Sequence, residues 1–265
     1  MISLALALIV LGMADLISGG LAAMPGTTSW KRRVGIAFIL TAAASYAYFL
    51  TIAEWIPAVA YFAVLWIGTG TWLIARESPR QKLQLLALVA LAITMASAAF
   101  IIPAFTAESP ISWLSEHIAR LPWNMTATFS VNELVLIMGV FLFLGPTANG
   151  IVRCCLQIIR TTPVAESEKT LKGGRFIGPL ERFLIFGLAL AGEPTAAALI
   201  ISAKSIIRFP ELQSKSRGAR AAGDEDSEEA SIGLPTPLID ELTEYFLLGS
   251  LLSWALALFA ALPFQ

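Results

Sequence analysis

Charge is scarce in this chain. Only 14% of its 265 residues are Asp, Glu, Lys or Arg, 57% are hydrophobic, and the mean hydropathy is +0.74. A soluble domain of this length covers its surface with about a quarter charged residues, so that class is excluded and a polytopic membrane protein is implied. Histidine is nearly missing: His117 stands alone, without neighbours spaced as metal ligands, and reads as a surface residue. Cysteine is limited to the adjacent pair Cys154 and Cys155; neighbours of this kind rarely bond to each other, and no third cysteine exists to form a framework. No GxSxG or HExxH pattern occurs, nor a paired-aspartate phosphotransferase pattern within an apolar run. These absences weigh against an enzyme, and no cofactor, metal or nucleic-acid partner is expected. Basic residues are also missing ahead of the first apolar run, 2–14, while Lys31, Arg32 and Arg33 follow it. A secretory signal has the opposite polarity, so a retained helix is expected.

What is present is a series of long apolar runs. A membrane helix needs about 20 mostly apolar residues, and 2–22, 34–53, 56–75, 83–102, 133–148 and 245–264 meet that need. With the hairpin 177–208 the expectation is all-α: one transmembrane helical bundle, 1–265, with about eight membrane segments. The connection 104–130 places Trp113, Leu114, Ile118 and Leu121 at helical spacing, with Glu116, His117 and Arg120 on another face. That pattern predicts a short amphipathic helix on the outer surface. The connection 209–240 is rich in charge and small residues and has too little apolar surface to fold alone, which predicts a disordered cytoplasmic loop. Lys and Arg gather on the cytoplasmic side of membrane proteins. An outer N-terminus and an outer C-terminus put all 18 basic residues except Arg120 at the inner side.

The hairpin carries the most unusual pattern. Nine uncharged residues run from 183 to 191 and nine more from 195 to 203, on either side of Gly192-Glu193-Pro194. Nine helical residues rise about 14 Å, roughly half of a hydrocarbon core. Either the segment re-enters the membrane, or it forms two short spans whose charged side chains reach back to the surface; the polar turn favours the short spans. Folding about Glu193 sets Glu181 level with Lys204 and Ser205, and Gly178 level with Arg208. Lys204 and Arg208 are four apart on one helix face, where like charges repel. Glu181, Glu244 and Asp15, the last about 10 Å inside the first span by helical rise, are the available counter-charges. With Arg175, Arg182, Lys204 and Arg208 they form the candidate site, a charged collar at the inner mouth of the hairpin. It reads either as a salt-bridge network that docks the hairpin, or as a pocket for an anionic lipid or solute. In a transporter, Asp15 would be a proton-coupling group. The alternative is a non-catalytic subunit or scaffold that docks a protein partner through 149–176 and 209–240.

The stretches "GRFIGPLERFLI", "AKSIIRF" and "EYFLLGSLLSW" resemble the C-terminal signature of an uncharacterised bacterial integral-membrane family, over about 172–256. The resemblance implies a multi-pass protein of the bacterial inner membrane. It singles out Gly174, Arg175, Gly178, Glu181, Arg182, Lys204, Ser205, Arg208, Glu244, Tyr245 and Gly249, and it carries no activity.

Overall fold

The computed structural model describes residues 2–21, 30–52, 55–101, 129–159, 174–193, 195–203 and 236–264, and among these the backbone is helical apart from short turns, with no strand. The chain divides into two compact units, Met1–Ile158 and Ile159–Gln265. The first holds α1 (Ile2–Leu21), α2 (Trp30–Ile52), α3 (Trp55–Ala75) and α4 (Gln81–Ala96), the last running on through a π-turn, Ser97–Ile101. A capping box then opens α5 (Val131–Leu142): the Ser130 hydroxyl accepts from the Glu133 N–H, and the Glu133 carboxylate accepts from the Ser130 N–H.

After α5 the sequence expectation of a helix ending at 148 fails. Pro146 has no N–H to give, which would break an ordinary helix. Here the ladder widens into a π-turn, Phe143–Thr147, and the Ala148 N–H reaches back to the Phe143 carbonyl. One extra residue is absorbed and the chain continues as α6 (Ala148–Ile159), so a single helical rod spans Val131–Ile159. Residues 149–159, expected in a connection, are therefore helical. They suit an amphipathic helix: Ala148, Cys154 and Leu156 are buried while Arg153, Gln157 and Ile159 are exposed.

In an apolar solvent, helices are held by close packing and polar contacts more than by exclusion of water. Unit 1 follows that rule. A Cβ added to Gly12 would lie 2.5 Å from the carbonyl carbon of Leu142, and one on Gly139 would lie 2.8 Å from the carbonyl oxygen of Ala5. The two glycines thus let α1 and α5 approach backbone to backbone. One core layer gathers Ile2, Val10, Tyr48, Tyr61, Leu65 and Ala98; a second gathers Leu11, Ala14, Trp72, Leu73, Leu91 and Cys154. The first layer has its own polar tie: the Tyr61 hydroxyl donates to the Ser3 carbonyl at 2.5 Å, and the Ser3 hydroxyl donates to the Ala98 carbonyl at 2.8 Å.

Unit 2 contains α7 (Gly174–Leu190), a helical arm over 195–203, and α8 (Thr236–Ala261), which ends in a 3-10 turn, Leu262–Phe264. The predicted break is present. Gly192 has φ +79°, the left-handed conformation that ends a helix without a Cβ clash. Its N–H donates to the Ala189 carbonyl at 3.1 Å, and the Glu193 N–H donates to the Leu188 carbonyl at 2.9 Å. Ile185, Ala197 and Ala257 then pack together with Leu188, Ile201 and Trp254, so both arms of the hairpin touch α8. The first arm is longer than its apolar run: α7 has 17 residues, rising about 25 Å. The expected disordered loop is also shorter, because α8 begins at Thr236 and residues 236–240 are helical. The outer amphipathic segment, apart from 129–130, and the loop up to 235 lie outside the described residues.

Among the described residues, four helices are long and apolar enough to cross a membrane: Trp55–Ala75, Gln81–Phe100, Val131–Ile159 and Leu247–Phe264; Ile2–Ser18 and Gly35–Leu50 are shorter apolar stretches. Gly12→Ala is expected to force α1 from α5 and lower stability by about 1–3 kcal/mol. Gly35→Ala, whose Cβ would meet nothing within 4 Å, should leave stability unchanged or raise it by up to about 1 kcal/mol. Thermal unfolding of the purified protein in detergent distinguishes the two.

Candidate functional site

The charged residue most deeply committed to the structure of unit 1 is Asp15, on α1, with 1% of its surface exposed. An isolated carboxylate at that burial is very costly, and its partners come from the end of α3. Trp72 and Arg76 are four residues apart and so share one face of that helix. The Trp72 indole N–H reaches both carboxylate oxygens, at 3.2 Å for Oδ1 and 3.0 Å for Oδ2, and Arg76 Nη1 donates to Oδ1. The guanidinium carbon of Arg76 also lies 5.7 Å from the centroid of the Trp72 ring, within cation–π range.

α6 closes the site. A Cβ on Gly150 would lie 2.8 Å from Trp72 Cζ2 and 3.7 Å from Arg76 Nη1, so only glycine leaves room for the indole ring. The Cys154 thiol lies 3.7 Å from the Arg76 carbonyl oxygen. Further out, the Gln84 side-chain amide donates to the Ser78 carbonyl at 2.8 Å and to Gln157 Oε1 at 2.6 Å, tying the turn after α3 to α4 and α6. The π-turn places the fully buried Thr147 side chain beside the Asp15 carboxylate. On its outer edge Arg76 turns towards Glu77, with Nη2 3.8 Å from Oε1.

Of the seven residues expected to form a collar, Asp15 thus has its counter-ion in Arg76. Trp72, Arg76 and Thr147 were not singled out by the sequence. The signal available was the i, i+4 pair of an indole and a guanidinium at the end of an apolar run, with a carboxylate elsewhere needing a cation. In unit 2 the side chain of Arg182 is described in full: it is 1% exposed, and Nη1 donates to the Ser253 hydroxyl at 3.0 Å. It therefore faces α8 from within α7, more than two turns before the hairpin turn. Glu181 beside it is half-buried. Arg175 and Glu244 lie on α7 and α8, but their side chains, and all of Lys204 and Arg208, are outside the described residues. Among those residues no group of three His, Cys, Asp or Glu could hold a metal ion.

Breaking the buried ion pair from the cationic side strands a charge in the core, which costs about 3–5 kcal/mol. Arg76→Ala is therefore expected to destabilise unit 1 by that amount, and Asp15→Asn by less, since the amide needs no counter-ion. In a double-mutant cycle on thermal unfolding, Asp15→Asn should recover much of the loss caused by Arg76→Ala; additive losses would show that the two charges are not coupled. No protein-family model, curated protein or solved structure significantly matches this chain, so its geometry and chemistry alone carry the functional reading.

Proposed function

We propose that this is a multi-pass protein of a bacterial inner membrane that binds or moves an anionic lipid or solute at a cationic region around α7. On this reading the chain has about eight membrane segments, both termini outside, and 177–208 as two short segments returning to the cytoplasmic side. The similarity of 172–256 to an uncharacterised membrane family belongs to the same proposal. Asp15 has its own cation, so the site consists of Arg175, Glu181, Arg182, Lys204, Arg208 and Glu244.

The observation that supports this reading is Arg182, a guanidinium 1% exposed on a largely apolar helix and directed at a serine of α8. Cations at such depth are rare in membrane helices and mark substrate or headgroup paths. Basic groups between spans on the cytoplasmic side bind anionic headgroups. Four of the six site residues are cationic, which leaves a surplus for an anion.

Two measurements test the reading. In native mass spectrometry of protein purified from bacterial membranes, the wild type should retain anionic phospholipid, and the Lys204→Ala/Arg208→Ala pair and Arg182→Gln should lose most of it. Unchanged occupancy would end the proposal. For topology, single cysteines at positions 33 and 217 in a background with Cys154 and Cys155 replaced by serine should resist a membrane-impermeant maleimide in intact cells and react once the membrane is opened. Labelling of either in intact cells would reverse the orientation.

A further inference from the structure

The rod Val131–Ile159 is held differently on the two sides of its π-turn. Before the turn α5 is clamped, because Gly12 and Gly139 bring it backbone to backbone with α1. Within the turn Leu144, Gly145 and Thr147 are buried. Beyond it, only Ala148, Cys154 and Leu156 of α6 are buried, while Arg153, Gln157 and Ile159 are exposed. The seat of α6 is built from small contacts. Gly150 lies against the Trp72 ring, Ile151 packs on the core layer of Leu11 and Trp72, and the Cys154 thiol meets the Arg76 carbonyl at 3.7 Å. Near the far end, Gln157 Oε1 accepts from the Gln84 amide at 2.6 Å. That clasp is incomplete: Gln84 Oε1 is buried and finds no hydrogen-bond partner among the described residues. A buried acceptor left unpaired favours any state in which water reaches it. Pro146, with no N–H to give to the preceding turn, weakens the ladder between the clamped part and the lightly seated one.

We propose that the π-turn Phe143–Thr147 is a hinge and that α6 is a cover swinging on it, which opens and closes the end of unit 1 where α3 gives way to α4. Sharp helix kinks occur at prolines and π-turns, and hinges are a few positions at the ends of packed elements. A kink of about 20° at the turn carries Cys154, about 9 Å along α6 by helical rise, through about 3 Å. That is roughly the diameter of a water molecule. The Gln84–Gln157 clasp lies farther from the pivot and parts first. In the closed state Gly150 and Cys154 cover Trp72 and the Arg76 carbonyl. In the open state water enters between α6 and α3 and reaches the Asp15–Arg76 pair from the side of Arg76, whose side chain is already 11% exposed. Meanwhile α1 and α5 keep their places, because Gly12 and Gly139 lie on the clamped side of the pivot. The hinge thus decides when the buried acid and its cation meet water. It concerns unit 1 alone and does not rest on anion binding around α7.

Thiol protection in the full chain, held in lipid nanodiscs, tests the hinge. With Cys155→Ser, Cys154 is the single thiol of the chain. It is 2% exposed, so methyl methanethiosulfonate reaches it when α6 lifts. Gln157→Leu removes the clasp at an exposed position, and the rate of modification should rise about five-fold, the effect of one neutral hydrogen bond on an opening equilibrium. A rate that does not rise overturns the proposal. Two further readouts separate a swing from other kinds of opening. Ala7→Cys, at a fully buried position of the other core layer, in a chain with Cys154 and Cys155 replaced by serine, should stay protected with and without Gln157→Leu. Modification there as fast as at Cys154 means that the whole unit unfolds, and the hinge is overturned. Backbone hydrogen exchange over 150–157 should be equal in the wild type and Gln157→Leu, since a rigid swing keeps the helical ladder of α6. Acceleration there in step with the thiol means that α6 frays from its end, which overturns the hinge as well.

Discussion

The buried carboxylate of Asp15 is the constraint around which unit 1 is arranged. A negative charge sealed in an apolar bundle is tolerated only if donors surround it, and here they come from one turn of one neighbouring helix. Trp72 and Arg76 can reach α1 only if α3 lies close beside it. The Trp72 ring fits only because Gly150 of α6 carries no side chain. Gly150 is brought to that ring by a rod that does not stop at Pro146, since the π-turn absorbs the missing hydrogen bond. Helix crossing, glycine placement and backbone irregularity are thus consequences of satisfying one acid.

Unit 2 handles buried charge differently. Arg182 lies on a helix whose neighbours Ile185 and Phe186 are fully buried, and it meets a hydroxyl of α8. The positive Gly192 turn, closed by two backbone hydrogen bonds, brings the 195–203 arm back onto Ile185 and Ala257. The first unit thus buries a carboxylate against a guanidinium, and the second buries a guanidinium against a hydroxyl.

Much of this was written in the sequence. Apolar runs longer than any soluble helix requires, with charge confined between them, set the helical class. Gly192 ahead of Pro194 marked the hairpin turn, because only glycine enters the left-handed region freely and proline cannot continue the first helix. Both arms also meet in one cluster with α8, as a chain that turns back at that point allows. Helix ends were less legible. The fifth run was bounded at 148 by its apolar composition although the helix continues to Ile159, because a one-residue widening of the ladder leaves no periodic trace; nor does sequence distance from a turn tell which face of its helix Arg182 occupies.

By itself, the sequence determined that this protein is helical, that it has the apolar length to cross a membrane, and where its hairpin turns. Those properties follow from local composition and from backbone rules at glycine and proline. Only the tertiary structure decided which charges meet. Asp15 finds Arg76, 61 positions away, because the partner of a buried ion is chosen by how helices cross and where small residues let them touch, and those distances are set by the packing of the whole unit.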